Sequence, residues 1–132
     1  MTTARPAGTS RRADRGQATV ELALVLPLVV LVLVAVVQVG LLARDQVLVT
    51  HAAREAARAA AVTDDPAAPR RAAEQAGPLR PERLQVTTTG RRGVGSRVRV
   101  EVRYRAPIRI PVIDRVIADV ELQGTATMRV ER

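Results

Sequence analysis

Few side chains in this sequence have the type and spacing to do chemistry. His51 is the only histidine, with Glu55 one helical turn later, and Ser10 and Ser96 are the only serines. There is no cysteine, hence no thiol nucleophile, thiolate metal site or disulfide framework. One His and scattered acids do not make a metal-ligand set. The "GRRGVG" at 90–95 has the glycines of a phosphate loop, but it leads into a strand pattern rather than a helix. A lone His with one carboxylate four residues on reads as an exposed i,i+4 pair. An enzyme is therefore not expected, nor a cofactor, a metal or a small-molecule substrate. What remains is the junction "RGQATVE", where Gly16, Gln17 and the carboxylate of Glu21 border a long apolar run. Chemistry there would be done to the chain, not by it.

That junction is positioned by the apolar run itself. From Leu22 to Ala43 the chain is apolar except for Gln38, with Pro27 and Gly40 inside. Twenty-two helical residues span about 33 Å, against a hydrocarbon core of about 30 Å. A chain of 132 residues has nothing large enough to cover a helix that is apolar all round. A cleaved secretory signal has a shorter apolar region of about 7 to 15 residues and a small-x-small site, whereas this run is followed by "RDQV". The run reads as a membrane helix, in which Pro27 is tolerated as a bend or a packing feature between subunits. Arg5, Arg11, Arg12 and Arg15 precede it, while Arg44, Arg54 and Arg58 follow it offset by Asp45 and Glu55. The bias predicts a cytoplasmic N-terminus and an extracytoplasmic bulk.

Composition limits the rest. The net charge of +8 is carried by Arg with no Lys. The arginines are spread along the chain, and Tyr104 is the only aromatic, so the basic face with stacking aromatics typical of nucleic-acid proteins is missing. Nucleic acid is not expected as a partner. The roughly 90 residues beyond the apolar run can bury only a thin core.

Along the chain, residues 1–16 read as a disordered basic leader. Residues 17–62 read as one helix of about 45 residues, because "RDQVLVTHAAREAARAAAV" contains no breaker through Val62. Arg44, His51, Arg54, Glu55 and Arg58 gather on one side of it. Val47, Val49, Ala53, Ala56, Ala57 and Ala60 lie elsewhere, and small residues there admit a second backbone closely. Residues 63–81 form a linker with a short helix, predicted over 66–76 with Asp65 as N-cap, Pro66 at the first helical position and Gly77–Pro78 as the stop. Residues 82–132 form a small antiparallel β domain. "RLQVTTTG" supplies the first strand. "SRVRVEVRYRA" puts Val98, Val100, Val102 and Tyr104 on one face and Arg97, Arg99, Glu101, Arg103 and Arg105 on the other. In the third strand Val120, Leu122, Ala126, Met128 and Val130 share a face, with Gly124 at a bulge or close approach. "PIRIPVID" connects the second and third strands. The fold class is α+β: a long N-terminal transmembrane helix, continuing outside the membrane, packed on about three antiparallel strands.

The junction then gains a second reading. Basic residues, Gly16, and an acid at the fifth position after it resemble the prepilin peptidase site of type IV pilins and their relatives. The larger stretch, with "RGQATVE", "LALVLP" and "AAREAAR", resembles the TadE-like family over residues 15–62. The resemblance implies a minor pseudopilin of a tight-adherence pilus, cut between Gly16 and Gln17. It further implies that Glu21 pairs with the freed amine of a neighbouring subunit. Its implied partners are the membrane, a prepilin peptidase and other pilins or pseudopilins of the same system. The family often has Phe after the acid, where this chain has Leu22. Two alternatives stay open: an uncleaved single-pass membrane protein whose β domain binds an envelope partner, and a DNA-uptake pseudopilin that uses its arginines.

Overall fold

The computed structural model describes residues 10–108 and 118–131. Helix α1 runs from Ser10 to Val62 and contains Pro27. Its end is where the run of helix formers stops. Its start corrects the expectation for the leader, which placed residues 1–16 outside regular structure. Once a helix exists, each added residue gains a hydrogen bond without a new nucleation step, so α1 extends back through Gly16 to Ser10. The rest of the leader lies outside the described residues.

The chain divides into two compact units, Met1–Val37 and Gln38–Arg132. In the first, the described chain is α1 alone. From Gln17 to Val37 nearly every side chain is exposed, including Leu22, Leu24, Leu28 and Leu33. Gln17–Val62 is long and apolar enough to cross a membrane, and the most apolar window within it is not covered by any other part of the structure.

In the second unit the remainder of α1 is followed by α2 (Ala68–Gln75), a 3-10 turn (Pro81–Arg83) and strands β1 (Leu84–Thr89), β2 (Arg97–Ala106) and β3 (Val120–Arg129). The sheet is antiparallel in the order β1-β2-β3. Val102 sits between Val86 on β1 and Gly124 on β3. The alternation read from the sequence sets the faces. Val98, Val100, Val102, Tyr104 and Ala106 are buried, and the intervening arginines are exposed. Burying each of the three valines is worth about 1.5–3 kcal/mol. The "PIRIPVID" connection lies mostly outside the described residues, which resume at Ala118.

The cover for this face is α1. Val49, Ala52, Ala53, Ala56, Ala57, Ala60 and Ala61 join the strand valines in one core. Val47 departs from the expected pattern. It is 68% exposed, because it falls outside the stripe that recurs every three to four residues, while Ala52 and Ala61 fall inside it. Gly124 is the close approach that its place in the strand pattern predicts. A Cβ there would lie 2.8 Å from the Val49 carbonyl oxygen and 3.1 Å from the Thr50 Cα.

Helix α2 is shorter than predicted and starts later. Asp65 accepts from the Ala67 amide at 2.9 Å and bonds to Arg71, closing a turn ahead of the helix instead of capping it. Ala67 is the N-cap and Pro66 precedes the helix. Pro69 takes the first-turn position, where a missing N–H leaves no hydrogen bond unmade.

Candidate functional site

Gly16, Gln17 and Glu21 all lie on α1. Gln17, Val20, Glu21 and Leu24 line one shallow hollow, as residues spaced three and four apart do on a helix. Gln17 and Glu21 are one turn apart, about 6 Å along the axis. Both are exposed, and Glu21 has no ion pair among the described residues. A carboxylate in this setting adjoins a surface made of Leu and Val.

The Gly16–Gln17 bond is within the helix. Its amide and carbonyl groups are engaged along the helix axis, so cutting it requires the turn around Gly16 to open. Glycine in a helix interior is less stable than alanine by about 0.5–1 kcal/mol, which makes this turn easier to open than its neighbours.

The other candidates are not gathered into a site. His51 is exposed on the outer side of α1, in a shallow surface with Gln46, Thr50 and Arg54. Glu55 is half-buried. Among the described residues, no group of three His, Cys, Asp or Glu side chains could hold a metal ion. The outer sheet face carries Arg97, Arg99, Arg103 and Arg105, with Glu101 bonded to Arg103 at 2.5 Å. That bond raises the Arg103 pKa above its already high ordinary value. Arg97 stands directly across from Arg129.

One structural arginine was not legible in advance. Arg91, in the turn between β1 and β2, donates to the Ala60 carbonyl at 2.6 Å and to the Thr63 carbonyl, and pairs with Asp64. It thereby satisfies carbonyls that the end of α1 leaves open. The turn is held in place by Gly90 at φ 87°, where a Cβ would meet the Arg97 carbonyl oxygen at 2.7 Å. The doubled arginine of "GRRGVG" was the only sign of it. At the other end of β3, the Glu131 amide donates to the Ala61 carbonyl at 3.0 Å, so the same helix terminus is tied twice.

Residues 16–58 match the family model of TadE-like proteins. The match starts at Gly16 and takes in Gln17, Glu21, the apolar run and the alanine stripe through Arg58. It ends before α2 and the sheet. No curated protein and no solved structure matches the chain.

Proposed function

We propose that this chain is a non-enzymatic, membrane-anchored minor pseudopilin of a tight-adherence type pilus. The single observation that carries the reading is the TadE-like match over residues 16–58, whose first residue is the glycine of the processing motif. In this reading α1 crosses the cytoplasmic membrane, residues 1–16 are on the cytoplasmic side, and the sheet unit is outside. A prepilin peptidase cuts Gly16–Gln17. Four Arg and one Asp leave with the leader, which lowers the formal charge from +8 to +5.

The cut creates a cationic partner for Glu21. A charged side chain at the centre of a membrane helix costs about 2.5–3.5 kcal/mol on insertion scales, and less near an interface. The freed amine of Gln17 is a cation one turn, about 6 Å, from Glu21 along the helix. Packing of two processed chains with a stagger of that size sets the amine of one against Glu21 of the other. The exposed Leu and Val surface of residues 22–37 is then shared between helices and lipid.

Mass spectrometry of the N-terminus after membrane extraction tests the cut. The mature chain is expected to begin at Gln17. An intact leader in cells with an active prepilin peptidase overturns the processing step and favours the uncleaved single-pass reading. That reading draws its support from the helical state of the Gly16–Gln17 bond. For the pairing, Glu21→Gln should leave the unfolding midpoint unchanged and reduce recovery of crosslinked partner subunits by about tenfold. Unchanged crosslinking would remove Glu21 from assembly.

A further inference from the structure

We propose that the second unit carries a binding cleft for the phosphate headgroup of an anionic phospholipid, placed where α1 leaves the membrane. The cleft has a volume of about 90 Å³. Arg44 and Arg80 line it with Asp45, Tyr104, Gln38 and Leu41. Three observations point to the ligand.

The first is charge. Arg44 and Arg80 both line the cleft, and neither guanidinium has a hydrogen bond or ion pair among the described residues. Two guanidiniums against one carboxylate leave the cleft cationic, and guanidinium matches phosphate oxygens with paired N–H donors.

The second is a positioned donor. Tyr104 lines the cleft with its ring buried, only 4% of the residue being exposed, and its hydroxyl makes no hydrogen bond among the described residues. The buried ring fixes where that hydroxyl sits, and a phosphate or glycerol oxygen in the cleft would accept from it.

The third is depth. Arg44 is the first charged residue after the apolar run, whereas Gln38 and Leu41 belong to it. Arg44 lies six positions after Gln38, about 9 Å along the axis. Leu41 and Leu42 line the cleft beside Gln38 on the side of the apolar run, and the arginines line its charged end, which follows the order of parts in a phospholipid. A free phosphate would have no use for the two leucines. Tyrosine and arginine at this level also fit the interfacial belt of membrane proteins.

The inference rests on the membrane-anchored reading. It does not require the Gly16 cut, and it holds for either orientation of the helix.

The full chain, floated with vesicles of phosphatidylcholine with and without phosphatidylglycerol and then examined by native mass spectrometry, tests it. The wild type should retain phosphatidylglycerol over phosphatidylcholine by about tenfold. Arg44→Gln with Arg80→Gln should lose that preference and still float. Arg97→Gln with Arg99→Gln, on the outer sheet face, should keep it. Flotation without a lipid preference overturns the lipid site and leaves the membrane reading standing. Equal loss in both double variants reduces the effect to net charge and overturns it as well. Competition by soluble glycerol phosphate as strong as by the lipid overturns the commitment to a lipid. Failure to float overturns the membrane reading and the site together.

Discussion

The two halves of α1 use one backbone in opposite ways. Between Leu22 and Val37 it carries Leu and Val on every side, and Leu24 is 74% exposed. Between Val49 and Ala61 it buries a stripe of alanines: Ala52, Ala53, Ala56, Ala57, Ala60 and Ala61. Large aliphatic side chains extend the apolar surface outward, toward lipid or another helix. Alanines withdraw it, so that a sheet backbone comes within van der Waals distance of the helix backbone at Gly124 and Val49. With one aromatic residue in the whole chain, the core of the second unit is made by bringing backbones together, because there are no large rings to fill a wider gap.

The largest expected effect of breaking this contrast comes from a single methyl group. Gly124→Ala should destabilise the second unit by about 3 kcal/mol, since the new Cβ meets backbone that cannot rotate away. The same change at Gly40, where a Cβ meets nothing within 4 Å, should be neutral or stabilising by about 0.5–1 kcal/mol. Denaturant unfolding of the full chain in detergent, followed by fluorescence of Tyr104, measures both. Equal effects at the two glycines would end the distinction between the halves.

An intermediate effect is expected when one half is given the side chains of the other. Ala56→Leu should cost about 1–3 kcal/mol by overfilling the contact with β2 and β3. Leu26→Ala should leave the unfolding midpoint of the sheet unit where it is, because Leu26 is exposed and packs on none of that core. A shift of similar size for Leu26→Ala would contradict the assignment of residues 17–37 as a surface for lipid or partner helices.

The smallest effect is a pH dependence at the linker. The hydrogen bond from Arg71, followed by that from the Ala67 amide, holds the Asp65 carboxyl below its ordinary range. Because the folded-state value is depressed, the contribution is complete above the unfolded value of about 3.9 and is lost as pH falls through the folded one. Amide exchange across α2 should therefore accelerate, after correction for intrinsic rates, only on acidification below about pH 4. In Asp65→Asn that acceleration should be absent. Protection of α2 that is flat with pH in the wild type would show that the Asp65–Arg71 turn does not hold the helix.

Much of this architecture was legible along the chain. The β2 alternation placed Val98, Val100, Val102 and Tyr104 together, and all four are buried. A glycine among strand residues marked the close approach at Gly124. Where the reading failed, the deciding contact was distant. Val47 looks like a core residue by type, but the stripe that faces the sheet runs through Ala52 and Ala61. Asp65 and Pro66 have the right types for a helix start. The bond from Arg71 draws Asp65 into a turn instead, and the helix begins after Ala67.

The sequence by itself determined the apolar run, the Gly16–Glu21 junction and the strand faces. Each of these is a periodicity or spacing within a few residues, and helix and strand geometry convert it directly into position. Tertiary structure alone decided which alanines are core, that Arg91 closes the end of α1 some thirty residues earlier, and that Arg44, Arg80 and Tyr104 share one cleft. Those groupings join residues that no local period connects. They exist because a sheet bearing Gly124 can lie directly on an alanine stripe, and that contact brings the ends of the strands to the helix.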